Sequence, residues 1–184
     1  MDEWAQYGLR GVKWAVTLIG ASYLLKKLEE WKHTRRMRTQ VYAELVGNYE
    51  KLANRRHVVT SIKGIERLSA ERFLKDLNLE FAVYNHYQCE GSSELFRLEE
   101  AGPIASIYAR YRDINLMAQN DWGDGFEANR IARRALAEFD KQVRLGKLNM
   151  GILERVSHPK IYDFLLKMKV GELDSHERDL DPIP

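Results

Sequence analysis

An all-α fold is what three features of the sequence predict. Apolar residues recur at helical spacing over most of the chain. No alternating strand pattern of useful length occurs. Gly and Pro are few, 12 and 4 in 184 residues, and fall mostly between the periodic segments. The expected architecture is an N-terminal apolar helix that continues into an irregular helical bundle. A composition of 45% hydrophobic and 30% charged residues excludes wholesale disorder and leaves enough apolar surface for one core.

The first helix starts near Trp4 and runs past Arg38 into "TQVYAELVGNYEKL". There Tyr42, Leu45, Tyr49 and Leu52 repeat at 3, 4 and 3, a stripe that predicts docking on a partner helix. "ANRRHVV" reads as a break, followed by a short helix holding Val58, Ile62 and Ile65. Ser69 reads as an N-cap with Glu71 in the first turn. The helix behind it would carry Phe73, Leu77, Phe81, Tyr84 and Gln88 on one face and end at Gly91. "GSSE" then restarts a shorter helix through "LFRLEEA".

Gly102 and Pro103 mark the clearest boundary, since Pro suits the first turn of a new helix. That helix shows Ile104, Ile107, Tyr108, Tyr111, Ile114 and Met117 or Ala118 at a 3.6-residue period and ends at "NDWGDG". Residues 126–145 form the next, with Ala128, Ile131, Ala135, Phe139 and Val143 inward. Arg130, Arg133, Arg134 and Lys141 point outward, and Gly146 closes the helix. Short helices near 149–157 and 159–170 follow, the latter with Ile161, Phe164, Leu165 and Met168 inward. Residues 171–184 have no apolar period.

The net charge of +2 conceals an asymmetry. Lys26, Lys27, Lys32, Arg35, Arg36 and Arg38 against Glu29 and Glu30 give a collar of net +4. Glu172, Asp174, Glu177, Asp179 and Asp181 against Arg178 give a tail of net −4. The expected organisation is therefore an apolar anchor over 1–25, a basic juxtamembrane helix over 26–40, a helical cytoplasmic domain over 41–171 and an acidic disordered tail over 172–184.

The apolar run before the collar admits three readings. The charge-free stretch 14–25 makes only about 18 Å of helix against a hydrocarbon core of about 30 Å, so a span must reach back past Lys13 and Arg10 to Trp4. The transfer cost of Lys13, about 2.5–3.5 kcal/mol, nearly cancels the gain from Leu9, Val12, Val16, Leu18, Ile19, Leu24 and Leu25. Trp4, Tyr7 and Trp31 lie where interfacial aromatics lie, and the collar suits anionic headgroups. In the second reading Arg10, Lys13, Thr17 and Gly20 form a polar stripe opposite Leu9, Val12, Val16, Ile19 and Tyr23, as in a helix lying in the membrane surface. The third is a core helix of a soluble bundle. The collar ranks the single span first and the other two equal behind it.

Motifs of chemistry are sparse. Cys89 is the only cysteine, which excludes an internal disulfide and fits a reducing compartment. An acidic "MDEWAQYG" start is unlike a transit peptide or a secretory signal. His86 and Cys89 in "HYQC" share a helix face, but no second His/Cys pair completes a four-ligand site. One Glu-x-x-His, Glu30 to His33, stands where a di-iron bundle needs two. The loop "NDWGDG" offers Asp121, Trp122 and Asp124 as a candidate ligand or partner loop, while lacking the alternating carboxylates of a calcium loop. Neither a phosphate loop nor a nucleophile elbow is present.

The expected function is thus a membrane-anchored, single-pass or peripheral helical protein that works as a scaffold or regulator through protein–protein contact. Its C-terminal domain is expected in the cytoplasm, Lys26, Lys27, Lys32, Arg35, Arg36 and Arg38 against anionic lipid, and a protein partner or self-association on the domain. No cofactor, metal or nucleic acid is expected, and the sequence identifies no catalytic residue. The alternative is a soluble helical enzyme or small-ligand-binding domain, its site among Tyr84, His86, Tyr108, Tyr111 and the 120–125 loop.

Overall fold

The computed structural model describes the backbone of residues 2–60, 77, 79–89, 95, 98–120 and 125–170, and the side chains among them except those of 2–19, 56–60, 89 and 125. Six helices occur among the described residues, and no strand: α1 (Asp2–Thr60), α2 (Ala82–Cys89), α3 (Ala101–Asn120), α4 (Gly125–Arg144), α5 (Met150–Val156) and α6 (Pro159–Lys169). The chain divides into two units, Met1–Arg38 and Thr39–Pro184.

Helix α1 runs for 59 residues because nothing in it stops a helix. The first proline of the chain is Pro103, and an added Cβ at Gly20 or Gly47 would meet nothing within 4 Å. The expected break at "ANRRHVV" is therefore absent, and Val58 belongs to α1 rather than to a short helix of its own. Ala and Arg are good helix formers, and no Gly or Pro follows them before Gly64.

The core of the second unit is built on one face of α1. Val41, Tyr42, Leu45, Val46, Tyr49 and Leu52 are all buried, so the expected Tyr42–Leu45–Tyr49–Leu52 stripe is covered along its whole length. Facing residues come from α3, with Ile104, Ile107, Tyr108, Tyr111, Ile114 and Met117 buried, and from α4, with Ala128, Ala132, Ala135, Leu136, Phe139 and Val143 buried. Helix α3 packs on α4, α4 on α6 and α5 on α6. The small residues of α4 let neighbouring backbones approach, and Phe139 fills the centre, its ring 4.3 Å from that of Tyr49. Ile131 and Phe164, expected inside, are half-buried at the edge.

The chain reverses after α4 by a glycine device. Gly146 has φ +63°, its N–H donates to the Val143 carbonyl and the Lys147 N–H donates to the Gln142 carbonyl. These are the two bonds of a Schellman end. Asn149 then caps α5, its side-chain oxygen accepting from the Ile152 N–H at 3.2 Å, and Pro159 opens α6. Pro103 sits in the first turn of α3, where its missing N–H is harmless.

One expected helix is interrupted. Residues 77 and 79–81 are not helical, so no single helix carries Leu77, Phe81, Tyr84 and Gln88; Tyr84 and Gln88 lie on α2. Ser69, Glu71, Phe73 and Gly91 lie outside the described residues. Residues 98–100 form a bend and turn instead of the end of a "GSSE" helix, with Leu98 donating to the Leu95 carbonyl at 3.2 Å.

Leu45 is fully buried, and its stripe is the floor of the core. Leu45→Asp is expected to lower the unfolding free energy by roughly 4 kcal/mol or more, the sum of a lost side chain and an unpaired buried carboxylate. Urea unfolding of the full chain measures it; an unchanged midpoint would mean that the stripe is solvated.

Candidate functional site

Two places concentrate polar or exposed chemistry: a buried tyrosine–carboxylate cluster in the second unit and an apolar–basic surface on α1 in the first.

The cluster is organised by a polar line on α1. Gln40, Glu44 and Asn48 succeed one another at every fourth residue, next to the apolar stripe. Asn48 grips the backbone of Glu80 twice: its amide donates to the Glu80 carbonyl and its side-chain oxygen accepts from the Glu80 N–H, both at 2.7 Å. Glu44 accepts from the N–H groups of Val83 at 2.8 Å and Tyr84 at 3.1 Å, in the first turn of α2. Those donors have no partner within their own helix, and a carboxylate also opposes the positive end of the helix dipole. Gln40 accepts from the Tyr87 hydroxyl at 2.7 Å, and Asn115 of α3 donates to the Leu79 carbonyl at 3.2 Å.

Tyr108 donates to Glu44 Oε1 at 2.7 Å and its ring stacks on Tyr84 at 4.0 Å. Burial, then the Glu44 carboxylate beside it, pushes the Tyr108 hydroxyl far above the ordinary tyrosine range. Tyr111 is fully buried, meets Tyr108 edge-on at 6.0 Å and donates to the Leu45 carbonyl at 3.3 Å. Burial and the neighbouring Asp140 hold its pKa well up as well. Asp140 accepts from the Tyr49 hydroxyl at 3.2 Å, and burial raises its carboxyl well above its ordinary 3.8 despite the opposing charge of Arg144. The Asn149 N–H donates to the Tyr42 hydroxyl at 2.7 Å. These hydroxyls and carboxyls are spent on fastening α1 to α2, α3, α4 and the start of α5.

The fold brings three of the expected ligand-site residues together, Tyr84, Tyr108 and Tyr111. His86 is exposed, its ring edge-on to Tyr87 at 4.9 Å. Asp121, Trp122 and Asp124 lie outside the described residues, as does the Cys89 side chain. Among the described residues no group of three or more His, Cys, Asp or Glu is gathered as a metal site would need. Glu30 pairs with Lys27 at 3.0 Å on the exposed helix. The residues that organise the cluster, Gln40, Glu44, Asn48 and Asp140, were not singled out from sequence. The first three carry a signal, a polar line at helical spacing beside an apolar one; Asp140 carries none.

The second place is a surface. Leu24, Leu28 and Trp31 follow at 4 and 3 residues, one stripe on α1, and are 68%, 45% and 56% exposed. Tyr23 and Leu25 beside them are exposed too. Lys27 and Lys32 flank the stripe on either side, and Glu29 and Glu30 lie on the opposite face. The Arg35 guanidinium lies over the Trp31 ring, 5.4 Å from its centre, and Lys27 lies 5.9 Å from that of Tyr23. Lys26, Lys27, Lys32, Arg35 and Arg36 of the expected headgroup set are exposed; Arg38 is half-buried. No helix among the described residues is long and apolar enough to cross a membrane, which removes the support for the expected single-pass span. Arg10 and Lys13 on one side and Lys26 and Lys27 on the other confine the uncharged run.

No family model, curated protein or solved structure matches the chain.

Asn48→Ala is expected to cost about 2 kcal/mol, roughly 1 kcal/mol for each of its two bonds, and to speed hydrogen exchange of the Glu80 amide. Asp140→Asn tests the carboxyl. The unfolded chain releases this proton near pH 4 and the folded chain only at higher pH, so Asp140 erodes stability as pH rises through that window. The amide variant is expected to be more stable than the parent at pH 7, with the gain fading toward pH 4 in urea melts.

Proposed function

We propose that the chain is a peripheral membrane protein whose first helix attaches to an anionic lipid surface and holds a helical contact domain there. The exposed Leu24–Leu28–Trp31 stripe between flanking lysines carries this reading. Three large apolar side chains in line on an isolated helix face lose hydration when covered, at about 25 cal/mol per Å². Acyl chains accept Leu24 and Leu28, the headgroup layer accepts Trp31 and Tyr23, and Lys27, Lys32 and Arg35 meet phosphates. A basic residue near such a surface contributes about 1 kcal/mol. Glu29 and Glu30, opposite the stripe, stay in water. The leaflet richest in anionic lipid faces the cytoplasm, and the domain would sit on that side.

The domain's part in this reading is contact with other proteins. Its buried hydroxyls and carboxyls each hold two helices together, so they serve a rigid body more than a reaction.

Flotation of the full chain with vesicles tests it. Binding is expected to vesicles of phosphatidylcholine with phosphatidylglycerol and not to phosphatidylcholine alone. Leu24→Glu with Leu28→Glu, or Lys27→Glu with Lys32→Glu, is expected to weaken it ten-fold or more, about 1.4 kcal/mol per decade. Alkaline carbonate should strip the protein from cell membranes. Retention after that wash would point to a span, and failure to float would remove the lipid reading.

A further inference from the structure

The exposed face of α4 has a use that the lipid reading leaves open. Arg130, Arg134 and Lys141 lie in line with Ala137, and Arg133 and Arg144 flank that line; all are exposed. Glu127 neutralises Arg130 through a bidentate pair, at 2.8 Å from Nε, while Lys141 is only 4.0 Å from Glu138. Glu138 is itself engaged by Ser106 and Gln142 at 2.8 and 2.7 Å. Among the described residues no carboxylate pairs with Arg134. Asp140, the remaining acid of α4, is buried behind the face. Over 125–170 ten Lys and Arg stand against five Asp and Glu, a net of +5. Exposed Phe126 and Leu145 bound the stripe at its two ends.

The segment that continues from α6 has the opposite character. Residues 171–184 carry Glu172, Asp174, Glu177, Asp179 and Asp181 against Arg178, a net of −4, with Leu173 and Leu180 between the acids and Ile183 after them. Helix α6 packs on α4, so the segment starts from an element in contact with the helix that carries the basic face. Fully extended, it reaches about 46 Å, more than the roughly 30 Å length of α4. The ten steps from Leu173 to Ile183 cover about 33 Å fully extended, close to the roughly 28 Å between positions 126 and 145 on a helix.

We propose that the acidic C-terminal segment docks along the basic face of α4 in its own chain, its carboxylates against Arg134, Lys141 and Arg144 and its apolar residues toward Phe126 and Leu145. The segment then covers this cationic face and sets which anionic partners reach it. This does not depend on whether α1 binds lipid.

Zero-length carbodiimide coupling on the dilute full chain tests it, since it joins a lysine amine only to a carboxyl in contact. The expected product in the monomer band is Lys141 or Lys147 joined to an acid of residues 172–181. It should fall at least five-fold at 0.5 M NaCl and in the exposed double variant Arg134→Glu with Arg144→Glu. A synthetic peptide of residues 172–184 in excess should suppress the product, and the same peptide with Asn and Gln for its acids should not. Coupling confined to Lys167 and Lys169, which adjoin the segment in sequence, overturns the proposal. So does coupling found only between chains, which would make the face a docking site for a second copy.

Discussion

The carboxylate of Glu44 is the point on which the arrangement of α1, α2 and α3 turns. It is buried, and a buried carboxylate is tolerated only when its oxygens are occupied. Two backbone N–H groups of α2 and one hydroxyl of α3 occupy them. Helix α2 has only eight residues, has no acid of its own in the first turn and is preceded by Phe81, which cannot cap. Eight residues are too few to be helical unaided. The cap that α2 lacks in its own sequence is supplied from α1, and the same group orients Tyr108 so that its ring can stack on Tyr84.

Around that contact α1 presents two adjoining lines with different work. The apolar line of Tyr42, Leu45, Tyr49 and Leu52 supplies the burial on which stability rests. The polar line of Gln40, Glu44 and Asn48 fixes where residues 79–87 lie, because its bonds go to named backbone groups and have direction. Tyrosine suits the boundary between them. Tyr42, Tyr49, Tyr108 and Tyr111 each bury a ring and still deliver a hydroxyl to a partner several helices away in sequence. Asp140 is a carboxyl held where the charged form is penalised, moderated by the Tyr49 hydroxyl and the charge of Arg144 among others.

The surfaces divide by the same logic. The first unit exposes large apolar side chains among cations, a combination that water disfavours and a headgroup layer accepts. The second unit exposes cations along α4 with most of its apolar residues turned inward, a combination stable in water and attractive to anions. The near-zero net charge of the chain is the sum of these regions and describes neither.

The sequence by itself determined the helices whose signals are local. The period of α3, the amphipathic α4 with its terminal Gly146, the Asn149 cap and the Pro159 start are all encoded within a few residues of where they act. It also marked the buried stripe of α1, because a 3-4-3 spacing leaves a partner helix as its natural cover. Tertiary structure decided the rest. Helix α2 starts at Ala82 with no cap of its own, and the cap comes from Glu44, 38 residues upstream in sequence. "ANRRHVV" looks like a break but continues α1, since weak local preferences yield to an established helix. The tyrosines that sequence assembled as a ligand site are instead joined to α1 and to one another. Hydrogen bonds between residues 32 to 107 positions apart leave no periodic trace, and only the packed chain shows which polar groups they satisfy.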